Sequence, residues 1–411
     1  MIMQPTPPYE VLLGQTWMSM ASEATVPPRF SVEERDRRWR LAHEAMDAVR
    51  LDCLIASSAL SCSPGALAAA RYLTDCSSGA SGTTVFPQRG EVTLFASDGS
   101  AAYRPGDWVP DVRPSQSRTV VELTTARLAE LNLTHGRVGL VGLDPVADRS
   151  VAALAEALPH VEWTDFTRPL EAIATVKSDE EITVLSTSLG LVERALRHIE
   201  ATAQSGMRDL EVWGAALGEL CRGGSELPVE TLWGSGLRPA LLRHPAHGVL
   251  HRGYLILTSL EAAYGGYRAR GTQAIAIQNC DPVYRDLYQM LAEYWSRCLE
   301  ELQVGRNLTD MVERCEAHAT AILPDGSRYS KSAGQITLQG CGLAWTDPSA
   351  TSVGGDEVLQ PGHTVSLSVR LQVEAVRREY RAFWGDTVVV TPHGAQRLGT
   401  RPVGLSFADP V

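Results

Sequence analysis

Two arginines, Arg268 and Arg270, close a strand-like run that begins at Gly253 and also holds Ser259 and Glu261. Two residues apart on a regular strand they share a face, and only a bulge or bend after Gly265-Gly266 would separate them. Buried arginine is rare unless paired, so one that turns inward needs an anion. Glu261 or Glu374 could supply it from within the chain. The carboxylate or phosphate of a small ligand would serve as well, because the guanidinium fork matches either. Further along, Arg370 follows Ser368 by two positions and shares its strand face, as a second cation or as a solvated edge residue. His244, His247 and His251 crowd one stretch, and imidazole has the intrinsic pKa for general acid–base work. Cys341 stands between Gly340 and Gly342. A reactive thiol there would need an electropositive, accessible setting, and a packed thiol is the plainer reading.

These residues belong to a chain of 411, long enough for two domains with cores of their own. Its 44% hydrophobic and 21% charged content is that of a globular protein. The net charge of −11 argues against nucleic acid or an anionic membrane as partner. No run reaches the roughly 20 apolar residues of a membrane span. Residues 1–29 are proline-rich and lack a charged start followed by an apolar block. They do not read as a signal peptide and are expected to form an arm. Eight cysteines without a C-x-x-C pair speak against zinc ribbons and disulfide frameworks, and for buried thiols in a cytoplasmic protein.

Over residues 30–170 helix and strand signals alternate. Ser31-Val-Glu-Glu34 is a capping box that opens a helix running through Met46. Asp52-Cys-Leu-Ile-Ala reads as a buried strand, and Gly82–Pro87 and Glu91–Ala96 as a hairpin. Ser178 caps a helix from Asp179 to about Gln204, with acids in its first turn facing the positive helix end. Long amphipathic helices are predicted over 208–221, 281–303 and 308–323, and strands over 254–260, 274–277, 364–371 and 387–390. The expected class is α+β: a smaller α/β domain at 30–170, then a domain at 171–411 with a curved antiparallel sheet backed by helices.

Several segments, in order, resemble the creatinase/Xaa-Pro aminopeptidase family of the M24 type, whose C-terminal domain has the "pita-bread" fold. Gly253, Tyr264, Gly266 and Tyr267 fall in place on the family's G-D-x-V-x-I-D-x-G-A-x-Y-D-G-Y-x-S-D. Ile173-Ala-Thr-Val-Lys-Ser-Asp-Glu-Glu-Ile resembles its I-K-S-x-E-E-I, and Gly334-Gln-Ile-Thr-Leu its G-H-x-I-G-L. Gln360-Pro-Gly-His-Thr-Val-Ser-Leu-Ser368 is similar to L-x-P-G-M-V-F-S-V-E, and Gly385-Asp-Thr-Val-Val-Val-Thr to E-D-T-V-L-V-T. At the five positions where the family keeps metal ligands, this chain has Ser259, Arg270, Gln335, Ser368 and Gly385. Divalent ions want carboxylate and imidazole donors; hydroxyl and amide are feeble substitutes, glycine offers nothing and arginine repels the ion. The resemblance therefore implies the fold without the metal, and no cofactor is expected.

The family also contains creatinase, a metal-free hydrolase. Ser235-Gly-Leu-Arg-Pro-Ala-Leu-Leu-Arg-His244-Pro resembles its S-G-x-N…H-N-P segment with one residue inserted, which makes His244 the candidate base. The creatinase carboxylates do not carry over, since Thr272 and Ser368 stand in their places. The expectation is a metal-independent enzyme acting on a small anionic, amino-acid-like or peptide-like metabolite by hydrolysis, elimination or cyclisation. His244 would be catalytic, and Ser259, Glu261, Arg270, Gln335, Ser368 and Arg370 would bind substrate. Trp345 and Trp384 are expected near the rim. The alternative is a catalytically silent module that binds peptide or protein, as a metal-free domain of this fold does in a eukaryotic histone-chaperone subunit. The resemblance further implies a homodimer.

Overall fold

The computed structural model describes residues 30–57, 64–76, 82–96, 108–115, 118–143, 148–226, 229–322, 329–343, 358–375 and 377–408. The expected arm at 1–29 and Trp345 lie outside them. The chain divides into two compact units, Met1–Ile173 and Ala174–Val411.

The first unit is a mixed sheet with helices. Strands β1 (Cys53–Ser57), β2 (Thr83–Pro87), β3 (Thr93–Ala96), β4 (Asp111–Pro114), β5 (Arg137–Val141) and β6 (Glu162–Asp165) lie in the order β4-β3-β2-β1-β5-β6. β1 is antiparallel to β2 and parallel to β5. Being central, it is buried along its whole length, as its unbroken apolar run requires. Its helices are α1 (Val32–Ala48), α2 (Pro64–Thr74), α3 (Val120–Glu130), α4 (Asp148–Ala157) and α5 (Thr167–Thr175), the last running across the division into the second unit. Ser31 caps α1 by accepting from the Glu34 N–H at 3.0 Å. The other half of the expected capping box does not form, because the Glu34 carboxylate is held by Arg37 and by the buried Arg38.

The second unit opens on α6 (Asp179–Thr202), where the box is complete. Ser178 accepts from the Glu181 N–H, and Glu181 accepts from the Ser178 N–H at 2.7 Å. After α7 (Asp209–Arg222) come β7 (Thr231–Gly236), β8 (Leu255–Tyr264) and β9 (Tyr267–Ile277). Then follow α8 (Pro282–Glu301) and α9 (Leu308–Thr320). The remaining strands are β10 (Ser330–Gly340), β11 (Thr364–Ala375), β12 (Arg378–Thr391), β13 (Gly394–Arg397) and β14 (Leu405–Ala408). The sheet runs β10-β11-β12-β9-β8-β7, with β13 added to β12 and β14 parallel to β9.

Two features of this sheet position the site. β8 and β9 pair without a register shift from Leu255–Ala276 to Tyr264–Tyr267, so no bulge separates Arg268 from Arg270. β9 and β12, by contrast, share a single registered pair, Thr272–Gly385. The sheet is thus two halves, β10-β11-β12 with β13 and β7-β8-β9 with β14, joined at one narrow seam. On β11 the odd positions Val365, Leu367, Val369 and Leu371 are buried in the core with Trp295 and Leu291 of α8. The even positions Ser366, Ser368 and Arg370 then face the other way, by the two-residue period of a strand.

Candidate functional site

Strand register builds the site row by row. Leu232, Ser259, Thr272, Gly385, Ser368 and Thr337 are successive cross-strand partners over all six strands. One step along, Gln339, Ser366 and Thr387 are partners on the β10 side, and Glu261 faces Arg270 on the other. Across the seam the Arg270 N–H donates to Thr387 Oγ1, which donates to the Arg270 carbonyl, both at 3.0 Å. One step the other way lie Gln335, Arg370 and Phe383.

These rows line a cavity of about 200 Å³. Of the expected ligand-contacting residues, Ser259, Arg270, Gln335, Ser368 and Arg370 all border it, together with Thr272, Thr337, Gln339 and Ser366. Its apolar wall is Leu232, Leu241 and Phe383, while Val369 borders it from a strand position whose side chain packs in the core.

Glu261 is not on the wall. It is 2% exposed and sits behind Arg270, with Oε2 3.1 Å from Arg270 Nη2 and Oε1 2.7 Å from Arg268 Nη1. Arg270 Nη2 also donates to Glu230, which precedes β7. Burial alone would lower the Arg270 pKa, but Glu261 and Glu230 outweigh it and hold the guanidinium above its ordinary value. Both ion pairs use Nη2. Among the described residues, Nε and Nη1 of Arg270 have no hydrogen-bond partner. Arg370 has no ion-pair partner among them either, and its guanidinium carbon lies 6.0 Å from the Phe383 ring centroid.

His244 does not reach this cavity. It is exposed on the irregular segment after β7, its ring edge-on to Trp213 of α7 at 6.5 Å. Leu241, three residues earlier, is that segment's contribution to the wall. His247 is exposed with φ of 61°, and His251 is exposed against Tyr254. Ser259 accepts from Thr272 Oγ1 at 3.0 Å, with no histidine on it, so nothing activates it as a nucleophile. Cys341 is 3% exposed and hydrogen-bonded to Thr387 Oγ1. Burial pushes its pKa up to about 12 against the pull of Thr387 and Arg270, so it is a packed thiol. Trp384 is fully buried, edge-on to Trp295 with ring centroids 4.9 Å apart, and is absent from the rim.

A pair of divalent ions does not fit these residues. The wall offers hydroxyls, amides and two guanidiniums, and the nearby carboxylates are already paired with arginine. At Gly385 the space itself is taken. A Cβ built there would lie 2.2 Å from Ser368 Oγ, so no carboxylate side chain enters at that position while Ser368 stands opposite. No group of three or more His, Cys, Asp or Glu that could hold a metal occurs among the described residues.

The alternation Gln335-x-Thr337-x-Gln339 and Ser366-x-Ser368-x-Arg370 could have marked the wall in advance as one polar strand face. Glu230, forty positions before the arginine it holds, left no such signal.

The X-Pro aminopeptidase from Thermotoga maritima MSB8 superposes with a TM-score of 0.73 at 16% identity, covering 90% of this chain and 99% of that one. The Xaa-Pro dipeptidase from Bacillus anthracis gives 0.71 at 17% identity, covering 91% and 99%. The uncharacterized peptidase YqhT of Bacillus subtilis (strain 168) is 22% identical over 267 residues, 62% of this chain and 70% of its own length. The second unit thus has the pita-bread architecture of these structures. The model of metallopeptidase family M24 matches residues 185–392, half of the sequence, and the chain belongs to that family.

Proposed function

We propose that this M24 member works without a metal, and that its cavity holds a small anionic, amino-acid-like or peptide-like ligand rather than hydrolysing it. One observation carries the reading. The cavity pairs an uncompensated guanidinium, Arg370, with seven neutral hydrogen-bonding side chains, and no His, Asp, Glu, Cys, Lys or Tyr stands among the described residues on its wall. Such a wall can orient a carboxylate and satisfy the polar atoms beside it. It has no group whose pKa suits proton transfer near neutral pH. At about 200 Å³ the space suits a ligand smaller than the usual drug-sized pocket admits.

A second reading, a metal-independent enzyme with His244 as base, draws on Leu241. The segment that carries His244 also contributes to the wall, and catalytic groups can close on a site only when substrate is bound. His244→Ala separates the two, since it removes turnover under the enzyme reading and leaves affinity untouched under the binding reading.

The test is elemental analysis of the purified protein, Xaa-Pro dipeptide hydrolysis with and without added Mn²⁺, and calorimetric titration with small carboxylates and peptides. The expected result is sub-stoichiometric metal, no Mn²⁺-dependent hydrolysis and saturable binding of carboxylates. Stoichiometric transition metal or Mn²⁺-dependent cleavage would overturn the proposal. The homodimer implied by the family resemblance belongs to the same proposal and is checked by light scattering.

A further inference from the structure

We infer that the cavity selects acids whose amine is blocked or missing, such as N-acylated amino acids, over free amino acids and free-amine peptides. The inference rests on the anion-binding reading above and adds what sits at the other end of the ligand. The argument is an inventory of charge. A free amino acid brings an ammonium group within a few bonds of its carboxylate. If the carboxylate meets Arg370, the ammonium falls inside the same cavity of about 200 Å³. There it needs an anion or strong acceptors in place of water.

The described wall offers no anion. Among the described residues the carboxylates paired with Arg270 are Glu230 and Glu261, neither of which lines the cavity. Glu261 has both oxygens engaged, Oε2 by Arg270 and Oε1 by Arg268 and the Glu230 N–H at 3.2 Å. The Glu230 carboxylate is bound to Arg270 Nη2. Arg270 borders the cavity, so an ammonium beside it meets a like charge. An amide in the ammonium's place reverses the balance. Its carbonyl can accept from the unpartnered donors of Arg270 or from Gln339, and its N–H can donate to the hydroxyls of Ser366 or Ser368. An acyl or side-chain methyl group then meets Leu232, Leu241 and Phe383. The cavity that excludes metal ions thus excludes ammonium groups for the same electrostatic reason.

The test is calorimetric titration of the full-length protein with N-acetyl-L-leucine, L-leucine, 4-methylpentanoate and L-leucinamide, with inorganic phosphate as an anion control. N-acetyl-L-leucine is expected to bind at least about tenfold more tightly than L-leucine, the lower end of the effect of an unpaired buried polar group. L-Leucinamide should not bind, and 4-methylpentanoate should fall between the two acids. Arg370→Gln should weaken N-acetyl-L-leucine by at least about tenfold, with a thermal melt confirming that the variant is folded. Gln339→Glu, which adds an acid to the wall, should narrow or reverse the preference.

L-leucine binding as tightly as its N-acetyl form, or an unchanged preference in Gln339→Glu, overturns the selection while the anion-binding reading stands. Phosphate binding without any of the acids overturns the carboxylate assignment. Failure of every probe, phosphate included, overturns both readings.

Discussion

Arg401, which bridges β9 and β12 at the seam, and Arg370 on β11 follow opposite rules. Arg401 is 7% exposed and donates to the Gly385 carbonyl at 2.8 Å and to Gln273 Oε1 at 2.9 Å. It also reaches Asp386, which Arg397 holds at 2.8 Å, and its backbone N–H donates to Glu193. Trp384 lies within 5.1 Å of both guanidiniums. Every carboxylate oxygen in that cluster has a donor. Arg370 has no acid beside it among the described residues and faces a cavity. In the first centre the protein answers its own charges and fixes the strands; in the second it leaves one charge for something else. Arg270 stands between, with one nitrogen tied to two glutamates and the rest of its fork open.

The largest effect comes from breaking the closed centre. Burial raises the Asp386 pKa against the pull of Arg401 and Arg397, so the two arginines offset part of the cost of burying its charge. Asp386→Asn removes the carboxylate shared by the buried Arg401 and the half-buried Arg397 and should cost about 3–5 kcal/mol. Scanning calorimetry would read this as a fall of roughly 10 °C in the transition of the C-terminal unit. A loss below about 1 kcal/mol would mean that the cluster is not the rigid half of the contrast.

How much of this was legible in the sequence follows from how local each signal is. The α6 capping box and the alternation on β11 need only a few neighbouring residues, and both could be read. At α1 the same box motif misled, because Arg37 and Arg38 compete for Glu34 within one helical turn. The predicted strands were too short. The β9 prediction began only at Ala274, so Arg268 and Arg270 fell outside it, although the strand starts at Tyr267. Strands β7 and β10 were missed: Thr231–Gly236 carries two glycines, and Gln335, Thr337 and Gln339 face a cavity and look like loop residues. Ser259, Arg270, Gln335 and Ser368 were brought to one cavity from motif positions, because a motif fixes each within a few residues. Glu230 could not, since only the fold brings it to Arg270. His244 was placed by a local likeness, and the segment carrying it takes a path that the likeness does not determine.

A buried imidazole tests the rule behind the contrast at intermediate size. His363 is 3% exposed, and burial together with the Lys177 charge lowers its pKa to about 4. No carboxylate among the described residues pairs with it, so it stays neutral where Arg401 stays charged. The sign is fixed by linkage. Above pH 6.5 the ring is neutral in both folded and unfolded states and contributes nothing. Between 6.5 and 4 the unfolded chain takes up a proton that the folded one refuses, so stability falls as pH falls, by up to about 3 kcal/mol. Across this range the stability of wild type relative to His363→Leu, read from denaturant unfolding, should fall by that amount as pH falls. Parallel profiles would show that the folded protein accommodates the charged ring after all.

The smallest stability effect is expected at the open centre, and it decides whether that centre is open. Arg370→Gln removes a charge that has no described partner, so stability should change by no more than about 0.5 kcal/mol. Arg270→Met, on the neighbouring half of the sheet, leaves Glu261 buried with Arg268 alone and Glu230 unpaired, and should cost about 2 kcal/mol. Thermal melts of the two variants side by side give the comparison directly. If Arg370→Gln destabilises as much as Arg270→Met, then Arg370 has an internal acid, and the free charge assigned to the ligand does not exist. If Arg370→Gln is neutral or stabilising, the protein is holding an unpaired cation at no structural benefit, as expected of a residue retained for what it binds.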